Sequence, residues 1–270
     1  MTTAQKVIKY FAIGVAAFII FAMITSIIAL GSGLTSLTGG NESGPKETYT
    51  YTETEVSEIK KLNIDLGASS LKIKKGDALK VEENGKHITV SKDGDELEIT
   101  EDSDRWFTRG KTPQVVIYIP EDFNFEEASI KTGAGRVEVE NILADKLKLK
   151  LGAGKTEIAN VVSNEAKIET GAGELVIRNG KLNDAKIKVG VGKLDVTSEF
   201  TGDAKIETGI GANIIKLLPT ENDYKIEFHK GIGSIKYNGK NVSSDSIEGE
   251  GSNFIKIDGG IGSINVKSGI

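Results

Sequence analysis

The chain has 270 residues, 38% of them apolar and only 6% aromatic, with a formal net charge of −5 and no cysteine. An acidic balance argues against a nucleic-acid partner, because phosphate binding needs clustered positive potential. The lack of cysteine excludes a disulfide framework, a thiolate metal site and a lipid-bearing cysteine near the N-terminus.

Residues 1–9 carry Lys6 and Lys9, and the run from Tyr10 to Leu30 is uncharged and mostly apolar. As a helix this run is long enough to cross about 30 Å of hydrocarbon. No Lys or Arg follows until Lys46, so the positive-inside rule predicts a cytoplasmic N-terminus, a single membrane-spanning helix over 10–30 and an extracytoplasmic remainder. A cleaved secretory signal with a small-residue site at Ala29-Leu30-Gly31 is the rival; its apolar region is ordinarily shorter, about 7 to 15 residues. From 31 to 54 the composition turns to Gly, Ser, Thr and Glu, which predicts a flexible linker.

The remainder, 55–270, reads as one all-β domain, a β-solenoid. Its centre, 128–218, repeats a Gly-x-Gly triplet at Gly133, Gly152, Gly171, Gly190 and Gly209. Each 19-residue copy has an alternating run, the triplet and a second alternating run, so two short strands meet at a glycine corner. No copy can bury its apolar face alone, and stacking the copies buries two columns. These are Ile130, Leu149, Ile168, Ile187, Ile206 and Val139, Ile158, Ile177, Val196, Ile215. Residues 55–127 form an N-terminal cap and first coils, with Gly67 and Ser69 as an eroded triplet. Residues 219–270 form C-terminal coils and a cap: Tyr237-Asn238-Gly239-Lys240 fits a hairpin turn, and Ser263 to Val266 is expected to close that end.

The run VVIYIPEDFNFEEASIKTGAGRVEVENI, followed by the Gly-x-Gly repeats and preceded by a lone apolar segment, resembles the bacterial putative-adhesin family of β-strand-repeat proteins, a domain of unknown function. The resemblance spans about Glu55 to the C-terminus. It implies a membrane-anchored envelope protein, since members are encoded beside envelope stress regulators such as the Lia system of Gram-positive bacteria. It implies no catalytic residue.

Gly152-Ala153-Gly154-Lys155-Thr156 ends like a phosphate-binding loop, but Leu149 stands where that loop needs glycine and a strand follows where it needs a helix. Nucleotide binding is therefore not expected, and neither is a dinucleotide site, because Glu138 occupies the third glycine position. The positions matching the aspartate of calcium-binding β-rolls hold Val137, Thr156, Leu175, Leu194 and Asn213, so no repeat-borne calcium array is expected. Only His87 and His229 exist, a scattered pair with no metal-site motif around either. No cofactor, metal or enzymatic activity is expected.

Two stretches remain as candidate binding residues. Lys148, Lys167, Lys186 and Lys205 form an outward basic column beside Lys150, Glu169, Lys188 and Glu207, either a solvated face or a patch for anionic envelope polymers. Arg105, Trp106, Phe107 and Arg109 fall on one loop, either a recognition surface or a cover for the solenoid end. Asn141, Asn160, Asn179 and Ser198 recur at one position and predict a structural ladder. The function expected is a membrane-anchored, extracytoplasmic, non-enzymatic binding or scaffolding module that contacts envelope polymers or another envelope protein. The alternatives are self-assembly through the solenoid ends and a carbohydrate-active enzyme.

Overall fold

The structure is a computed structural model that describes residues 47–85, 87–102, 112–218 and 220–269. All of them belong to the compact unit Gly44–Ile270. The expected membrane span at 10–30 and the loop carrying Arg105, Trp106, Phe107 and Arg109 lie outside the described residues. Among the described residues, no helix is long and apolar enough to cross a membrane.

The chain is nearly all β. Strands β1 (Glu47–Thr50), β2 (Lys61–Leu66), β3 (Ser70–Lys75), β4 (Lys80–Glu83), β5 (Ile88–Asp93), β6 (Glu96–Glu101) and β7 (Gln114–Ile119) build the N-terminal part, with one short helix α1 (Glu53–Glu58). Three long extended runs follow, β8 (Asn124–Asn183), β9 (Ala185–Thr201) and β10 (Asp203–Leu218). Then come β11 (Tyr224–Tyr237), β12 (Lys240–Asn241), β13 (Ser246–Glu248) and β14 (Asn253–Ser268). β1 and the start of α1 fall in the stretch assigned to the linker, so the ordered chain reaches back to Glu47. β1 pairs antiparallel with β4, and Tyr49 and Tyr51 pack against the core. A capping box starts α1: the Glu55 amide donates to Thr52 Oγ1 at 3.3 Å and the Thr52 amide donates to Glu55 Oε2 at 2.8 Å.

The long runs stack in parallel at the period read from the sequence. Lys167 stands opposite Lys186 and Lys186 opposite Lys205, and the same register carries Ile168, Ile187 and Ile206 into one wall. Every member of the two expected apolar columns is at most 4% exposed. Burying each such side chain is worth about 1.5–3 kcal/mol, and the columns recur because one coil cannot supply that burial alone. The result is an all-β, solenoid-like stack.

The glycines are required by the stacking. A Cβ on Gly171 or Gly173 would fall well under 3.0 Å from the carbonyl oxygen of Gly152 or Gly154 in the coil beneath, and Gly173 also has φ +135°. Corner carbonyls point toward the C-terminal end of the stack and corner amides toward the N-terminal end: Ala134 N donates to Gly67 O at 2.8 Å.

At the C-terminal end the order of stacking departs from the order of sequence. β14 lies between β10 and β11, in parallel register with both, so β11 is the outermost coil. The expectation that Ser263 to Val266 closes the end is thus corrected. Three contacts favour β14 on β10: Phe254 N donates to Gly202 O at 3.1 Å, Asn213 Nδ2 donates to Ser263 O at 3.3 Å, and Asp258 pairs with Lys205 at 3.4 Å. The N-terminal end is threaded similarly, since β2 is sandwiched between β6 and β8, and β3 between β7 and β8. Both outermost coils are then flanked by antiparallel strands. β5 pairs with β6 and β4 with β7 at one end, and β12 and β13 pair with β11 at the other. The predicted hairpin turn is present, with positive φ at Asn238 and Gly239.

Candidate functional site

The lysine column stands on the outer face of the first strand of each coil. Register extends it by one member that a sequence-order reading places elsewhere: Lys256 of β14 sits opposite Lys205, and Glu227 of β11 ends the row. The signal lay in FIKIDGGIG, which matches the fifth copy as well as any other; only the intercalated threading brings it next to that copy. Like charges one coil apart repel, so most of the row carries local compensation. Lys148 pairs with Glu127 at 2.7 Å, Lys167 with Glu169 at 3.2 Å, Lys205 with Glu207 and Asp258, and Lys256 with Glu227 at 3.5 Å. The hydrogen bond from Lys148 holds the Glu127 carboxyl below its usual value and raises the Lys148 ammonium in turn. Lys205 and Glu207 shift each other in the same way. These pairs lie at the surface, where water and salt screen them, so they position the side chains more than they stabilise the fold.

Among the described residues, Lys186 in the middle of the row and Lys150 in the adjacent column make no ion pair. Lys150 lines a groove of about 430 Å³ with Lys131, Glu169, Lys188 and the corner glycines Gly152, Gly171 and Gly190. Lys131 is held by Asp65 at 2.7 Å and Lys188 lies 3.9 Å from Glu207. This face therefore carries a strip of ammonium groups spaced at the strand repeat of about 4.8 Å, with fewer carboxylates than cations in its middle.

The face of the second strand is different, and the sequence reading missed it. Arg178, Glu157, Lys155, Glu174, Lys193, Asp195 and Lys216 form an unbroken zigzag of ion pairs from 3.0 to 3.8 Å. The Lys155 hydrogen bond lowers the Glu157 carboxyl and the Glu174 bond raises Lys193. A shallow groove of about 240 Å³ on this face is lined by Lys72, Glu138, Glu157 and Arg178. Lys72 pairs with Glu138 at 3.5 Å and Arg178 with Glu157 at 3.2 Å. Alternation of sign from coil to coil was visible in the sequence at Lys155, Glu174 and Lys193, and it marks a face that neutralises itself.

The polar column after the second strand is partly a ladder. Asn160 Nδ2 donates to Glu140 O at 3.2 Å, and Asn179 Nδ2 donates to Asn160 Oδ1 at 2.9 Å. The fourth member leaves it: a register shift between Ile177 and Gly180 sets Ser198 opposite Gly180, where it is fully buried.

The ends of the glycine column are capped by opposite charges. At the N-terminal end Glu101 Oε2 accepts hydrogen bonds from three consecutive amides, Gly67 at 2.8 Å, Ala68 at 3.0 Å and Ser69 at 3.1 Å. At the C-terminal end the Lys230 ammonium donates to Gly233 O. Amides pointing one way and carbonyls the other make the column a stack of aligned dipoles, and the two charges stand where they oppose its ends, as at helix termini.

His229, in β11, contacts Asp245 through Nδ1 at 2.6 Å and Glu227 through Nε2. His87 precedes β5 at the other end of the stack, so the two histidines are not brought together. Among the described residues no group of three or more His, Asp or Glu is arranged to hold a metal ion.

A repeat protein of stacked parallel coils, with charged faces and capped ends, is the class that this architecture defines. The chain belongs to the Toastrack DUF4097 family, whose model matches residues 59–266. This agrees with the resemblance carried by the run from Val115 to Ile142. No curated protein sequence matches the chain. Solved structures similar to it include a "putative cell adhesion protein" from Clostridium sporogenes, 21% identical, with TM-score 0.36 over 83% of this chain and 99% of that one. A "putative adhesin" from Bacteroides fragilis is 14% identical, with TM-score 0.44 over 84% and 100%. Another from Parabacteroides distasonis is 13% identical, with TM-score 0.43 over 84% and 98%.

Proposed function

We propose that this protein is a membrane-anchored, extracytoplasmic β-solenoid that serves as a non-enzymatic binding module at the bacterial envelope, with the lysine face as its contact surface for anionic envelope polymers. The observation that carries the reading is the row Lys148, Lys167, Lys186, Lys205 and Lys256 in parallel register, with Lys186 and neighbouring Lys150 making no close ion pair among the described residues. A linear polyanion matches such a row because its charges also repeat along one axis. The anchor and orientation rest on the uncharged run Tyr10 to Leu30 and the lysines before it. Family resemblance adds the link to envelope stress.

Assembly through the solenoid ends is less favoured, because antiparallel strands flank both outermost coils and such strands blunt an edge. The test is a pull-down of the full-length chain, in detergent, with teichoic acid and with peptidoglycan. Retention that falls with salt and is abolished in Lys150→Glu/Lys186→Glu supports the reading. Retention unchanged in that variant, or no retention of the native chain, sinks it, and release of soluble product would replace it with the enzymatic alternative.

A further inference from the structure

The residue between the two corner glycines forms a column of its own. In stacking order it runs Ala134, Ala153, Ala172, Val191, Ile210, Ile261, Ile232, with Ala172 opposite Val191, Val191 opposite Ile210, Ile210 opposite Ile261 and Ile261 opposite Ile232. The side chains therefore grow from methyl to branched aliphatic toward the C-terminal end. Ile232 is 67% exposed and Ile261 44%. Scattered exposed aliphatics are ordinary, but contiguous ones mark a contact. Folding does not call for this bulk, since alanine fills the same corner in three coils. The glycine on each side of every member leaves no neighbouring side chain along the strand to cover it. The outcome is a line one side chain wide and roughly 15 Å long at the usual strand spacing, half-buried at Val191 and Ile210 and exposed at Ile261 and Ile232.

We propose that the ridge Val191, Ile210, Ile261 and Ile232 is a lipid contact that inserts at the boundary of headgroups and acyl chains of the bilayer to which the chain is anchored. The inference rests on the anchoring part of the reading above and not on the lysine face. Residues 31–46 separate the apolar run from β1 and can span at most roughly 55 Å when fully extended, which keeps the folded unit within reach of the membrane surface. A narrow aliphatic line with its exposed end at Ile261 and Ile232 suits a fluid interface that closes around it, as with aliphatic side chains at membrane surfaces. A second copy of the chain is a poorer fit, because stable protein interfaces bury roughly 1,200–2,000 Å², far more than such a ridge presents. Lys193 and Lys230 stand directly beside the corner glycines Gly192 and Gly231 at the edge of the ridge, Lys193 paired with Glu174 at 3.0 Å and Lys230 donating to Gly233 O.

The native chain has no cysteine, so single labels can be placed cleanly. Full-length Ile232→Cys, Ile261→Cys and, outside the ridge, Val162→Cys would each carry an environment-sensitive fluorophore in nanodiscs of phosphatidylcholine and phosphatidylglycerol holding one chain apiece. Blue-shifted emission at 232 and 261, quenched by nitroxide-labelled lipid, with neither effect at 162, is the expected result. Emission at 232 and 261 equal to that at 162 overturns the proposal. A blue shift that lipid quencher leaves untouched and that needs two chains per disc also overturns it, in favour of a second copy. Flotation of the native chain with vesicles reports on the anchor separately: a chain that stays with lipid yet shows no quenching defeats the ridge alone, whereas a chain that does not float defeats anchor and ridge together.

Discussion

Gly260 lies directly on the corner carbonyl of Gly209, and Gly231 lies on Gly260, so the coil that comes last in sequence is the next-to-last in the stack. Asn265 is consequently in register with Ile214 on one side and Lys236 on the other. Register neighbours in parallel strands lie within the Cα separation that a disulfide requires, and residues two coils apart, at roughly 9.6 Å, do not. Cysteine pairs at 214 and 265, and at 265 and 236, should oxidise readily in the otherwise cysteine-free chain, and the pair at 214 and 236 should not. Non-reducing electrophoresis reads the pattern. Ready oxidation of the third pair would mean that β11 stacks directly on β10.

The corner glycines differ from turn glycines in what a methyl group would meet. At Gly173 a Cβ would collide with the backbone of Gly154 in addition to the strain of φ +135°. Backbone at that place cannot move without parting two coils, so Gly173→Ala should destabilise by more than about 4 kcal/mol. Gly94 also has a positive φ, +55°, but open space around it. Gly94→Ala should therefore cost only the left-handed penalty of about 1–2 kcal/mol. Urea denaturation of the two variants, compared at unchanged slope, checks the contrast.

Glu101 replaces a missing neighbour. The amides of Gly67, Ala68 and Ser69 face the N-terminal end and would meet corner carbonyls if another regular coil stood there. Hydrogen bonds to a charged acceptor contribute about 1.5–3 kcal/mol. Glu101→Ala should lower stability by about 2–3 kcal/mol, through three amides left without their acceptor, and Glu101→Gln by about half as much, since an amide oxygen accepts without charge. The midpoint of urea unfolding measures both. Equal stability of the Gln variant and the native chain would show that the carboxylate charge is immaterial to the column.

The period alone was enough to place Ile130 and Val139 with their equivalents in the core, because a two-residue alternation repeated every 19 residues has only one way to bury its apolar side. Stacking order was not legible, because the triplets at Gly231 and Gly260 fit the same corner equally well. What separates them is tertiary: Asn213 reaching Ser263, Asp258 facing Lys205, and Tyr224 taking up a buried place where it donates to Leu218 O. The same gap hid Lys256 from the lysine row and split Ile210, Ile261 and Ile232, whose adjacency exists only in the threaded stack. Glu101 was illegible for another reason, since nothing in a Glu-Ile-Thr-Glu strand end tells which amides its last carboxylate will reach.

His229 ties the outermost coil to the segment leading into β13. It stands between Glu227 on its own strand and Asp245 across the turn, with Lys256 and Asp258 on the neighbouring coil. The hydrogen bonds to Glu227 and then Asp245 raise the imidazolium above its usual value, and the bond from His229 lowers Glu227. A group whose folded-state pKa is raised contributes fully below its unfolded value, about 6.5, and loses that contribution as pH rises through the raised value. The carboxylate partner sets the other limit, because the hydrogen bond from His229 lowers the Glu227 pKa and keeps it charged to lower pH than a free glutamate. The clasp should thus be strongest in mildly acidic solution and weaken toward alkaline pH. Melting temperatures of the native chain and His229→Gln, measured from about pH 5 to 9, should differ most at the acidic end and converge as the imidazole in the native chain deprotonates. A difference that stays constant across this range would mean that His229 acts by packing and not by charge.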